Sequence, residues 1–174
     1  MKTQTQNSAE LARLATLLEP MSVAMLTSLD DDGALASRPM SPLEMDASGA
    51  LWFYTDLRSA KVDHLRAVNV AFSDEARACY VSLSGRGEIH ADRAQIERLW
   101  TAFAEPWFPD GPGSTNLALL KVVPDMAEYW DAPSSAMVRM FAMLASVWDG
   151  KPIGAIDHAK HTGLDHRAPA SASS

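Results

Sequence analysis

The chain has 174 residues, of which 47% are hydrophobic and 21% charged, a composition typical of one globular domain. Its formal net charge of -7 argues against a nucleic-acid partner, because phosphate binding requires a clustered basic surface. No apolar run approaches the roughly 20 residues of a membrane span, and the polar N-terminus lacks a signal-peptide core. The single cysteine, Cys79, excludes an intrachain disulfide and fits a reducing compartment. We therefore expect a cytoplasmic protein with a buried Cys79 thiol.

The first half of the chain predicts one helix followed by an antiparallel meander. Ser8 can cap a helix in which Leu11, Leu14 and Leu18 recur at helical spacing until Pro20 ends it. The segments SVAMLTSL, ALASRPMSPL and LWFYT then have strand character, and the turns DDDG and DASG join them. Since consecutive strands are usually neighbours, we expect the end of the second strand beside the end of the third.

The second half adds strands and few helices. A short helix is expected after Ser59, with Val62, Leu65 and Val68 on its inner face. The segments NVAFSDE and ACYVSLSGRGEIH predict an antiparallel pair, with a bend in the second strand at one of its glycines, Gly85 or Gly87. A helix capped by Asp92 and a last strand bent near Pro124 follow. Six or so strands with few intervening helices favour a closed or nearly closed antiparallel barrel over a parallel α/β sheet.

The ends of the chain are expected to lie outside the folded domain. Residues 1–7 are predicted to be flexible, residues 8–150 to form the domain with a C-terminal helix in SSAMVRMFAMLASVW, and residues 151–174 to form a flexible tail. The tail contains His158, His161 and His166. No regular element is predicted to hold their spacing, so they do not indicate a metal site.

The candidate chemistry lies at strand ends. Ser59 and Lys61 follow the strand LWFYT at the start of the predicted helix, where a hydroxyl, an ammonium and free backbone N–H groups suit a phosphate. A Ser N-cap followed by a solvated lysine is the alternative for this pair alone. Arg38 in SRPM is expected to approach the same anion. The small residues Ser82, Ser84 and Gly85 would leave room for a flat ring against a strand.

Four segments in order resemble one known family: DDDGALASRPM, LWFYTDLRSAKVDHL, AFSDEARACYVSLSGRGEI, and WFPDG followed by LALLKVVPDMAEYWD. They are similar to the pyridoxamine 5'-phosphate oxidase-like FMN-binding split-barrel superfamily, specifically its general stress protein branch. The resemblance implies a mainly β fold, an antiparallel Greek-key-like split barrel with flanking helices. It also implies a homodimer that binds FMN in two equivalent clefts at the subunit interface.

The resemblance assigns cofactor-binding positions residue by residue. It places Ser59 and Lys61 at the FMN phosphate, with Thr55 in the same motif and Phe53 and Tyr54 preceding it along the ring. It also places Arg38, Pro39 and Met40 in the segment beside the flavin. Ser82, Ser84 and Gly85 fall on the strand that lines the ring and often comes from the partner subunit. Trp107 matches an aromatic position near the cofactor.

Two departures from the family limit the function. GPGSTN stands where many relatives have an acidic stretch, and the tail lacks the basic substrate-binding C-terminus of the vitamin B6 oxidase, so that activity is not expected. The sequence leaves two functions open: a flavin-dependent oxidoreductase of unknown substrate, and a non-catalytic flavin-binding stress module that acts as a buffer or sensor. A vestigial cleft is disfavoured because Arg38, Ser59 and Lys61 are all present.

Overall fold

The computed structural model describes residues 1–59, 64–131 and 158–162, which form one sheet of nine strands and two α-helices. The helices are α1 (Ala9–Leu18) and α2 (Arg93–Leu99), with short 3-10 helices at Ala102–Ala104 and Gly111–Gly113. The strands are β1 (Lys2–Thr3), β2 (Ala24–Leu29), β3 (Leu35–Met40), β4 (Pro42–Met45), β5 (Leu51–Asp56), β6 (Val68–Asp74), β7 (Cys79–His90), β8 (Leu117–Asp131) and β9 (His158–Thr162).

The sheet order is β1-β4-β5-β8-β7-β6-β2-β3, and β9 pairs with the C-terminal part of β8. The strands pair antiparallel throughout, apart from the parallel pair of β1 and β4. β3 and β4 follow each other in the chain yet lie near opposite ends of this order. The sheet therefore curls into a half-barrel, and the mainly β split-barrel class expected from the sequence is confirmed.

Helix α1 forms where the sequence predicts it and covers the main core. The Ser8 hydroxyl accepts a hydrogen bond from the Leu11 amide at 3.2 Å, which caps the helix. Leu11, Leu14 and Leu18 are buried on its inner face. Among the described helices, none is long and apolar enough to cross a membrane.

Two apolar clusters stabilise the fold. The main cluster fills the half-barrel with side chains such as Leu26, Phe53, Val70 and Leu83. The second lies under α2 on the other face of β5 and β8, and contains Trp52, Ile96, Leu99, Phe108 and Leu119. Because successive strand residues point to opposite faces, β5 contributes alternately to the two clusters.

The second predicted strand is divided into β3 and β4. β3 pairs with β2, with Met40 opposite Ala24, whereas β4 pairs with β5, with Pro42 opposite Phe53. The chain thus passes from one edge of the half-barrel to the other within two residues. This passage brings the end of β3 beside the end of β5, as the meander predicts.

The irregularities predicted in β7 and β8 coincide at Gly85 and Pro124. Ser84 lies opposite Met126 and Gly85 opposite Pro124, so Asp125 is one extra residue and the bulge lies in β8. A Cβ atom at Gly85 would overlap the carbonyl oxygen of Val123, so β7 requires glycine beside this bulge. β8 continues past Pro124 as a single strand.

The helix expected after Ser59 is not seen in residues 64–67, which are irregular, and Val68 already belongs to β6. Leu65 is buried, and its carbonyl accepts a hydrogen bond from the Gly87 amide at 2.7 Å. This bond ties the segment to β7. Residues 60–63, with Lys61 and Val62, lie outside the described residues.

The segments predicted to be flexible at the two ends of the chain each contain a short strand, and their flexibility stays a prediction. β1 pairs with β4, and Gln4 Nε2 donates to Glu44 Oε1 at 2.7 Å. β9 adds five residues of the tail to the sheet. The helix predicted in residues 134–148 and the tail residue His166 lie outside the described residues.

Candidate functional site

A cleft of about 510 Å³ opens where the ends of β3 and β5 meet the segment after α2. Its volume lies within the range of about 300–1,000 Å³ that is usual for ligand and cofactor sites. The lining is mainly apolar and comes from three parts of the chain: Val23, Pro39, Met40, Ser41 and Leu43; Tyr54, Thr55 and Asp56; and Phe103, Ala104, Trp107 and Phe108.

Thr55 carries the clearest polar signal in the cleft. Only 2% of the residue is exposed, and its Oγ1 atom is buried with no hydrogen-bond partner among the described residues. A buried hydroxyl without a partner costs about 1–3 kcal/mol. Because Thr55 lines the cleft, a ligand with a polar edge could supply the missing partner. The residue fits a cofactor that presents hydrogen-bonding groups on an otherwise apolar ring.

Tyr54 fixes the segment that forms the far wall of the cleft. Its hydroxyl donates to the Leu99 carbonyl at 2.6 Å and accepts from the Thr101 amide at 3.1 Å. Its ring lies against Trp100 and Phe108, at centroid distances of 5.8 and 6.3 Å. Burial raises the pKa of the Tyr54 hydroxyl above its ordinary value. The hydroxyl is therefore used to position protein backbone.

Phe103 and Trp107 stand at the rim of the cleft with exposed rings. They are 66% and 65% exposed, and their ring centroids lie 5.5 Å apart. The sequence predicted Trp107 as a residue of the site, but it did not predict Phe103. The two aromatic residues are four positions apart, a spacing that can bring two side chains into contact.

Arg38 and Ser59, which the sequence assigns to an anion, are not among the residues that line the cleft. Arg38 Nη1 donates to Ser28 Oγ at 3.2 Å, and no carboxylate of the described chain forms an ion pair with it. Arg38 precedes Pro39 of the lining, and Ser59 follows Asp56, whose carbonyl accepts from the Ser59 amide at 3.0 Å. Lys61 lies outside the described residues.

Besides Arg38 and Ser59, four further predicted cofactor-binding residues lie outside the lining of the cleft. Phe53 is fully buried in the main core. Ser82 and Ser84 lie on the outer face of β7, where Asn69 Nδ2 donates to their hydroxyls at 2.8 and 3.0 Å. Gly85 has a structural role beside the bulge of β8. Pro39, Met40, Tyr54, Thr55 and Trp107 do line the cleft together.

The outer face of β2 and β3 carries an exposed apolar surface. Val23, Met25, Leu29 and Leu35 are 52%, 41%, 41% and 77% exposed. Met25 lies opposite Ala71, which in turn lies opposite Ser82, so this surface is continuous with the serines of β7. Apolar surface of this kind often marks a protein contact.

Comparison with protein-family models finds one match. The model described as pyridoxamine 5'-phosphate oxidase like matches residues 9–153. Among functionally curated proteins, none is similar enough in sequence to match the chain.

Solved structures with the same fold include proteins named for stress and flavin binding. The general stress FMN/FAD binding protein of Xanthomonas citri is 31% identical, with 71% of this chain and 90% of that chain covered at a TM-score of 0.60. A protein of Jannaschia sp. CCS1 that carries the name general stress protein 26 is 26% identical, with 89% and 99% covered at a TM-score of 0.63. General stress protein 26 of Bacillus anthracis is 20% identical, with 70% and 94% covered at a TM-score of 0.62, and supports the fold alone.

Proposed function

Because the chain belongs to the pyridoxamine 5'-phosphate oxidase-like family, we propose that it binds FMN in the cleft and acts as a flavin-dependent oxidoreductase of the general stress type. The observation that carries the proposal is the buried hydroxyl of Thr55, without a partner among the described residues, in a mainly apolar cleft of suitable size. The solved relative from Xanthomonas citri is described as FMN/FAD binding, which supports a flavin as the ligand.

The proposal gives binding roles to three residues of the cleft lining and to the three residues assigned to the phosphate. Thr55 Oγ1 hydrogen-bonds a polar edge of the flavin, and Pro39 and Met40 pack against its ring. Arg38 and Lys61 neutralise the phosphate, and Ser59 forms a hydrogen bond to it. These contacts distinguish FMN from riboflavin, which lacks the phosphate. Arg38 suits this role because its guanidinium has only the neutral Ser28 hydroxyl as a hydrogen-bond partner in the described chain.

Ser82 and Ser84 do not line the cleft, so their assigned contact with the flavin requires a second copy of the chain. We propose a homodimer in which Ser82 and Ser84 of one protomer approach the cleft of its partner. The exposed apolar surface on β2 and β3 supports this arrangement, because it is continuous with Ser82 across the sheet. Burial of that surface between two copies would remove it from water.

Bound FMN supplies the electron-transfer chemistry, so few side chains of the protein need to take part in bond making. The chain's own residues bind and orient the flavin, and the aromatic segment held by Tyr54 limits access of water to it. This division of labour explains why no paired acid and base, and no nucleophile with an adjacent base, is required in the cleft.

Anaerobic stopped-flow reduction tests the oxidoreductase function. FMN-loaded protein is mixed with NADH or NADPH, and the loss of oxidised flavin absorbance is followed. We expect slow but measurable reduction. A protein that binds FMN tightly and is reduced by neither nicotinamide would contradict nicotinamide-dependent turnover and favour the flavin-binding stress module, a buffer or sensor.

A further inference from the structure

The charges of the cleft restrict what can enter beside a flavin. Asp56 supplies the single charged side chain of the described lining, and the Arg58 guanidinium already binds it through Nε at 3.0 Å and Nη2 at 2.6 Å. The same lining contains no lysine, arginine or histidine. An anionic group placed against Phe103 and Trp107 would lose hydration without gaining a cationic partner, whereas the cations assigned to the FMN phosphate, Arg38 and Lys61, are not part of the described lining.

The exposed rings of Phe103 and Trp107 belong to a fixed segment. Between and beside them, Ala104 and Phe108 are buried in the cluster under α2, with 2% and 9% of their surface exposed. The amides of Trp107 and Phe108 both donate to the Ala104 carbonyl at 3.0 Å. The two rings are therefore presented on a folded turn, and their exposure does not result from an unfolded loop.

We propose that Phe103, together with Trp107, binds the second ligand of the cleft, and that this ligand is a planar aromatic molecule without an anionic group. The proposal rests on the proposed flavin site and names the substrate class that meets it. Two aromatic rings in contact offer a large apolar surface on which a third ring stacks in an offset or tilted arrangement. The lack of a cation in the described lining disfavours an anionic group on the ring that stacks there, and the phosphates of a nicotinamide donor would have to remain outside this lining.

A titration with two matched probes tests this substrate class. FMN-loaded protein is titrated with naphthoquinone and with naphthoquinone sulfonate, which has the same ring and one added anion. We expect the neutral probe to bind about tenfold more tightly than the sulfonate. Phe103→Ser should weaken naphthoquinone binding by about tenfold, because it removes both apolar area and a ring contact.

Arg77→Ser is the control, because the Arg77 side chain is 44% exposed, pairs with Asp74, and lies neither in the cleft lining nor on the apolar surface of β2 and β3. It should leave naphthoquinone binding unchanged. If the parent binds both probes equally, or if Phe103→Ser binds naphthoquinone as the parent does, the proposal is wrong. A Phe103→Ser protein that becomes monomeric in sedimentation while its naphthoquinone affinity is unchanged would assign the ring to the contact between copies and also overturn it.

The FMN affinity of each protein is measured in parallel, which separates the two proposals. Tight FMN binding with no effect of Phe103→Ser on naphthoquinone contradicts the substrate class alone. A parent protein that does not bind FMN contradicts the proposed function, and the substrate class falls with it.

Discussion

At the scale of single residues, Thr55 connects stability to binding. Its buried hydroxyl has no partner among the described residues, so Thr55→Val, which replaces the hydroxyl with a methyl group of similar size, should not destabilise the empty protein. We expect the free energy of unfolding to stay unchanged or rise by up to about 1–3 kcal/mol. FMN affinity should fall about fivefold, because the ligand loses one hydrogen bond worth roughly 1 kcal/mol.

Urea unfolding and FMN titration of the same preparations check both expectations. Thr16→Val is the control: the Thr16 hydroxyl donates to the Ala12 carbonyl at 3.0 Å on the exposed side of α1, outside the cleft lining. Thr16→Val should leave the FMN affinity unchanged. Undiminished FMN affinity in Thr55→Val would remove Thr55 from the proposed site.

Lys61 tests the anion side of the site. Lys61→Ala should weaken FMN binding by about 1.5–3 kcal/mol, because a charge-assisted contact to the phosphate is lost. Equilibrium titration monitored by flavin fluorescence gives the affinity. Lys2→Ala is a control, since Lys2 lies in β1 at the edge of the sheet and outside the cleft lining. A Lys61→Ala protein that matched the parent would assign Lys61 to solvent.

At the scale of elements, an ion pair between the half-exposed Arg98 and the buried Glu44 attaches α2 to β4. Arg98 donates to both carboxylate oxygens of Glu44, at 2.9 and 2.8 Å, and Glu44 is 4% exposed. The hydrogen bonds from Arg98 lower the pKa of Glu44, and burial opposes this shift only partly. Gln4 adds a further bond to the same carboxylate. The pair therefore orients the helix that precedes the aromatic segment.

Arg98→Ala should lower the free energy of unfolding by about 1–3 kcal/mol at neutral pH, because Glu44 keeps its charge but loses its partner. The pKa of Glu44 is depressed in the folded protein, so the stabilisation is present above the ordinary glutamate pKa and is lost as the pH falls through the folded-state value. The difference from the parent should therefore shrink below about pH 4.

Urea unfolding at neutral and acidic pH measures this dependence. Arg77→Ala is the matched control, because it removes an exposed pair with Asp74 at 2.6 Å and should change stability little. An effect of Arg98→Ala that stayed constant across this pH range would exclude the Glu44 charge as its cause.

At the scale of the whole molecule, the proposed flavin site requires two copies of the chain. The exposed side chains of Val23, Met25, Leu29 and Leu35 form an apolar surface on one face of the half-barrel. Sedimentation at micromolar protein should show a dimer. Leu35→Glu should shift it towards monomer, because a charge buried in an apolar contact lacks a partner. A parent protein that sediments only as a monomer would refute the dimer and the assignment of Ser82 and Ser84 to a partner's cleft.

Local rules account for the parts of the fold that were predicted from sequence. The Ser8 cap and the Asp92 cap of α2 each depend on neighbouring residues, and each is confirmed. Strand alternation alone does not say which face of β5 meets the main core. For this reason the burial of Phe53 and the exposure of Tyr54 to the cleft could not be assigned from sequence.

Long-range contacts explain what the sequence did not reveal. The bond from the Thr101 amide to the Tyr54 hydroxyl joins residues far apart in the chain and builds the wall that presents Phe103. The N-terminal segment likewise contacts a distant part of the chain, because β1 pairs with β4 and Gln4 donates to Glu44. Such contacts become visible only when the sheet order is known.

A flavin titration tests whether the chain binds FMN through both its ring and its phosphate. The protein, freed of any bound flavin, is titrated with FMN and with riboflavin, which has the same ring without the phosphate. The account predicts saturable binding of one FMN per chain, and weaker binding of riboflavin by about 1.5 kcal/mol or more, because the charge-assisted phosphate contacts are absent. Failure to bind FMN, or equal affinity for the two flavins, would contradict the proposed phosphate site formed by Arg38, Ser59 and Lys61.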